Sequence, residues 1–93
     1  MKLYAGIDLH SNNSVVVVID EQDRVVYEKR LGNELQRILL ALASFKQSLA
    51  GVVVESTYNW YWLVDGLKQA GYPVRLAHPA ALVQYQGLKH SGD

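Results

Sequence analysis

The chain contains no cysteine, which excludes disulfides and thiolate metal sites. It has no excess of charge of either sign, since nine Lys and Arg balance nine Asp and Glu. No basic tail stands ready for nucleic acid, so any phosphate contact has to be local or come from other parts of a longer protein. No apolar run is long enough to span a membrane. The N-terminus carries Lys2 but lacks the apolar core and small-residue cleavage site of a secretory leader. These absences leave a soluble cytoplasmic protein as the expectation. At 93 residues and 49% hydrophobic composition, one small domain with a modest core fits. The polar ending His90-Ser91-Gly92-Asp93 has no closing element, so a piece of something longer is expected.

The most informative stretch is Leu3-Tyr4-Ala5-Gly6-Ile7-Asp8-Leu9-His10. It reads as a strand with Leu3, Ala5 and Ile7 on one face and Tyr4, Gly6 and Asp8 on the other. An ionised Asp in an apolar strand is costly without partners or a cation. Gly6 weakens the strand and suggests close approach of a backbone or ligand. Asp8 is therefore a candidate site residue. The plainer alternative is that it caps a turn at Ser11-Asn12-Asn13.

The β-branched run Val15-Val16-Val17-Val18-Ile19 predicts a second strand, buried on both faces. Glu21-Gln22-Asp23 is a polar turn, and residues 24–31 form a third, more polar strand suited to a sheet edge. Short links make these an antiparallel meander. Gly32 breaks the third strand. Asn33, with Gln36 three residues on, has capping-box spacing. Leu35, Ile38, Leu39, Leu42, Phe45 and Leu49 then predict an amphipathic helix of about four turns. Val52-Val53-Val54-Glu55 repeats the pattern of an apolar strand ending in an acid. Ser56, Thr57 and Asn59 are cap candidates for a helix striped by Trp60, Leu63, Val64 and Leu67, which Gly71 ends. Residues 73–77 make a fifth strand, and Pro79 opens a last helix through Leu82, Val83 and Tyr85.

A right-handed crossover sets the fourth strand parallel to the first. The fold expected is α/β, a mixed sheet of order 3-2-1-4-5. Asp8 and Glu55 then share one end of neighbouring strands about 5 Å apart, where open sheets bind ligands. Such a pair needs a shared proton or a cation. Hard oxygen donors favour Mg²⁺ or Mn²⁺, and paired carboxylates holding divalent metals can cleave phosphodiesters. Glu55 could also serve as the acidic partner of the following helix N-terminus.

Gly6-Ile7-Asp8-Leu9-His10, Val54-Glu55-Ser56-Thr57, His78-Pro79 and Leu88-Lys89-His90-Ser91-Gly92-Asp93 together resemble the N-terminal domain of IS110-type transposases of the IS1111 group. The resemblance spans nearly the whole chain. It implies a RuvC-like, ribonuclease H-like fold with an Asp-Glu-Asp-Asp site, Asp8 matching the first acid and Glu55 the second. The family's last two acids lie in a Lys-Thr-Asp-x-x-Asp-like run, and this chain stops just before it. Residues 1–93 are thus expected to be the N-terminal part of the domain, with Asp93 leading into that run. The C-terminal domain with its nucleophilic Ser is also missing. The parent implied is a DNA recombinase aided by an element-encoded structured RNA. The fragment should bind Mg²⁺ or Mn²⁺ weakly at most and cleave nothing.

Gly6-Ile7-Asp8-Leu9 with Asn13-Ser14-Val15-Val16 also resembles the first phosphate loop of actin-like and Hsp70-like ATPases. Those loops follow Asp-Leu with Gly and Thr, where His10 and Ser11 stand here, and His10 obstructs close phosphate approach. A RuvC- or YqgF-type nuclease and a non-catalytic dimerisation module are further alternatives. Tyr58, Trp60, Tyr61 and Trp62 follow Glu55 closely. Trp60 belongs to the helix stripe; Tyr61 and Trp62 fall off it and suit packing on the sheet, a missing domain or a second copy better than base stacking. A homo-oligomer is expected on that ground. His10 is either a neighbour of Asp8 in the site or an ordinary turn residue. Arg75, Lys89 and His90 read as solvated surface, and Asp20, Asp23 and Asp65 as turn or surface acids.

Overall fold

The computed structural model describes residues 1–56 and 59–77. The elements run β1 (Leu3–Leu9), β2 (Asn13–Ile19), β3 (Val25–Gly32), α1 (Leu35–Ala43), β4 (Leu49–Glu55), α2 (Tyr61–Gln69) and β5 (Val74–Ala77). The strands form one five-stranded sheet in the order β3-β2-β1-β4-β5. β1 and β3 lie antiparallel to β2, while β4 is parallel to both β1 and β5. The topology is the one that the link lengths imply. The helix expected from Pro79 lies outside the described residues, as do Thr57 and Tyr58.

Alternation builds the core on one face of the sheet. Leu3, Ala5, Ile7, Val16, Val18, Val52 and Val54 are buried together with Ile38 and Leu42 of α1 and Leu63, Val64 and Leu67 of α2. The opposite face is different. Val15, Val17 and Ile19 are only half-buried, so among the described residues nothing encloses β2 on the second face that its composition suggests is also buried. Its β-branched run satisfies strand preference on either face, but both described helices pack on the same one. The other face floors an open cavity of about 540 Å³.

Three helix ends depart from the sequence reading. α1 spans nine residues rather than four turns. Beyond Ala43 the chain continues in hydrogen-bonded turns, Phe45 N–H to the Leu42 carbonyl and Leu49 N–H to the Phe45 carbonyl. Leu49 then opens β4 in register with Leu3. Phe45 still packs inward, its ring 5.5 Å from that of Tyr27. The helical period ran on because turn and strand residues there are also apolar. Asn33 does not cap α1 either. Glu34 takes the N-cap position without a side-chain cap bond and pairs instead with Arg37. Trp60 is the N-cap residue of α2, again without a side-chain cap bond, and its ring still packs against the core with the stripe.

The end of α2 follows the sequence. Gly71 adopts φ +91°, its N–H donates to the Lys68 carbonyl, and the Tyr72 N–H donates to the Leu67 carbonyl. This is a complete Schellman motif, and buried Tyr72 packs in the core behind it.

Candidate functional site

Asp8 and Glu55 are register partners on adjacent parallel strands. Both line the open cavity, with Gly6, Val53, Tyr4 and His10 among their neighbours. The geometry expected of the pair is therefore present: one end of the sheet, one face, one cleft. Glu55 is held above the usual carboxylate range, first by burial and next by the charge of Asp8. His10 pulls it back down, and a hydrogen bond to the Asp8 carboxyl pushes it up.

The plainer roles for the two acids fit less well. The β1–β2 turn is closed by other groups: the His10 N–H donates to the Asn13 carbonyl. Asn33 Nδ2 donates to the His10 carbonyl at 2.7 Å, and Arg30 Nη1 donates to Asn13 Oδ1 at 2.6 Å. Glu55 is not in the first turn of α2, which starts at Tyr61 and has no acid there. Instead both side chains look into the cavity.

His10 is half-exposed, with Nε2 placed 3.2 Å from Asp8 Oδ2. The group that anchors it was misassigned from sequence. Asn33 accepts from Ser14 Oγ at 2.6 Å while donating to His10. Its amide thus joins a fully buried Ser14 to the turn, which is why it is not free to cap α1. Nothing in residue spacing distinguishes these uses, since both begin with an Asn just after a strand. Arg30 and Glu28 also reach the cavity wall from β3; the sequence marks them only as polar edge residues.

Gly6 sits between Tyr4 and Asp8 on the cavity side of β1. A Cβ there would meet no atom within 4 Å, so the glycine deepens open space rather than relieving a contact among the described residues. Hard carboxylate oxygens facing that space suit Mg²⁺ or Mn²⁺. Among the described residues, no group of three or more His, Asp or Glu converges as a complete metal cage. Asp8 and Glu55 fit as part of a site.

The aromatic cluster separates. The Trp60 and Tyr61 rings stack at 4.1 Å. Trp62 packs partly buried against the core, whereas Tyr61 is 61% exposed. Trp62 thus takes the packing role expected of it, and Tyr61 is left exposed. Asp20 is a turn acid as anticipated, but buried, accepting from the Gln22 and Arg24 N–H groups and from Arg24 Nε. Arg75 is exposed on β5; Lys89, His90 and Asp93 lie outside the described residues. No described helix is long and apolar enough to cross a membrane.

Solved structures place this architecture. T. thermophilus RuvC in complex with a Holliday junction substrate matches with a TM-score of 0.68 at 18% identity, over 90% of this chain and 69% of that one. A ROK family protein from Streptococcus pneumoniae TIGR4, in complex with sucrose, matches at 0.57 and 15% identity, over 98% of this chain. The chain spans only 39% of that second structure. The fold is ribonuclease H-like, of the RuvC kind. The family model for IS110-type transposases with an Asp-Glu-Asp-Asp site, described as "Transposase", matches residues 5–93, and the chain belongs to this family. Among curated proteins, no sequence relative matches.

Proposed function

We propose that this chain is the N-terminal part of the RuvC-like catalytic domain of an IS1111-group transposase. In its full-length parent, the domain carries out metal-dependent DNA strand cleavage and exchange. The observation that carries this reading is the pairing of Asp8 with Glu55 in register at one end of the sheet, inside a transposase family match. The motif resemblance supports the IS1111 group and an element-encoded RNA partner. Action on DNA favours a cytoplasmic setting, and a homo-oligomer would supply the surface that Tyr61 begins.

Asp8 and Glu55 would hold Mg²⁺ or Mn²⁺ as the first two of four acids. When bound there, the ion supplies positive charge to a scissile phosphate and lowers the pKa of bound water. The protein's own contribution is orientation. β1 and β4 fix two carboxylates side by side, and Gly6 leaves room beside them. Two carboxylates alone form a weak Mg²⁺ site, because the ion dehydrates reluctantly. Residues 1–93 are therefore expected to show no measurable strand cleavage.

The test is excision and strand exchange by the purified parent and its RNA on the cognate element. Asp8→Asn and Glu55→Gln keep shape and remove charge, and each should abolish the reaction while circular dichroism shows an intact fold. Wild-type activity in the Asp8→Asn protein would overturn the assignment. Cleavage by residues 1–93 alone would show that the site is complete within this chain.

A further inference from the structure

We infer that His10 is a positioning residue for the carboxylate of Asp8, and that Asn33 and Ser14 set His10 in place. The inference rests on the metal-site reading of Asp8 and Glu55 given above. A carboxylate ligand has two oxygens, and its grip on a cation depends on how firmly the second is held. Here His10 Nε2 stands 3.2 Å from Asp8 Oδ2. That is ion-pair distance, and because an ionised carboxylate only accepts, any hydrogen bond formed between the two runs from Nε2. The imidazole thus approaches Oδ2 from the turn side, where it can restrain the carboxylate that faces a cation.

The turn that carries His10 is pinned in a way that an incidental turn residue would not require. Its N–H and carbonyl are both used, by Asn13 and Asn33. Asn33 is itself fixed by Ser14, which no solvent reaches. Arg30 ties Asn13 to β3. Together these links tie the backbone around His10 to β2 and to the end of β3. The imidazole is the free end of that chain of contacts, and it ends on Asp8. His10 is also close enough to Glu55 to bear on its charge.

The experiment is Mn²⁺ titration of the 93-residue chain at neutral pH. Binding is read by paramagnetic broadening of amide resonances near Asp8 and Glu55, with Asp8→Asn as the control that removes the site. His10→Ala should weaken Mn²⁺ binding about tenfold, the usual effect of losing a group that holds a metal ligand. His10→Gln places an amide N–H near the position of Nε2 and should restore binding to within about threefold of wild type. Amide shifts for residues 11–14 report the turn in each variant. Unchanged affinity in His10→Ala, with Asp8→Asn still abolishing binding, would overturn the inference while leaving the metal site standing. Equal weakening in both His10 variants, with shifted turn resonances, would show a merely structural role and overturn it too. If the wild type shows no Asp8-dependent broadening, this inference is overturned for the chain, whereas the metal reading itself is decided on the full-length parent.

Discussion

At the scale of single residues, two acids in this chain have opposite relations to pH. Asp20 is held low, chiefly by the Arg24 N–H, against the cost of its burial. A lowered folded pKa contributes stability that is present above the ordinary carboxylate range and lost as pH falls through the folded value. Glu55 is raised, so the folded state binds more protons than the unfolded chain above the ordinary value. Stability then falls as pH rises from that value through the raised one. In metal-free buffer, Glu55→Gln should therefore increase the melting temperature at neutral pH, and the gain should vanish in acid. Asp20→Asn should lower it at neutral pH, with the loss shrinking in strong acid. Thermal unfolding over a pH series checks both, and a neutral-pH loss for Glu55→Gln would contradict the repulsive pairing. Asn33 offers a third test. Asn33→Ala strands the buried Ser14 hydroxyl and should cost about 1–3 kcal/mol in denaturant unfolding. If Ser14→Ala is already present, most of that cost should disappear. Asp8 and Glu55 were legible because each ends an apolar run. Asn33 was not, because its partners, one on β2 and one in the turn before it, are 19 and 23 residues away in sequence.

At the scale of elements, what the sequence conveyed depends on whether one residue type has one structural use. Gly71 does: with φ +91° it ends α2 where the apolar stripe stops. Gly71→Ala should cost about 1–2 kcal/mol through backbone strain. A Cβ there would approach only the end of the Lys46 side chain at ordinary contact distance, so crowding adds little. Chemical denaturation measures this, and a stabilised Gly71→Ala protein would contradict the strain. Leu49 has two uses. Its apolar side chain suits the last turn of a helix or the first residue of a strand, and pairing with β1 decides. Helix length was overestimated for that reason. The strands were easier, since Val15 to Ile19 and Val52 to Val54 have no comparable helical stripe.

At the scale of the whole molecule, strand order followed from connection lengths. Two short links force antiparallel neighbours, and each helix returns the chain parallel. Which faces are covered did not follow, because β-branched residues do not report whether a helix lies above them. The face that no described helix covers puts Asp8 and Glu55 at the end of an apolar floor formed by Tyr4, Val15, Val17, Ile19 and Val53. A metal that is held there would be reachable by a large polyanion, as an enclosed site would not. The most direct measurement is anomalous diffraction from Mn²⁺ bound to the full-length parent. The expected result is a peak with carboxylate oxygens of both Asp8 and Glu55 at a bonding distance of about 2.1 Å. A well-occupied Mn²⁺ peak elsewhere, with these two carboxylates uncoordinated, would contradict the assignment.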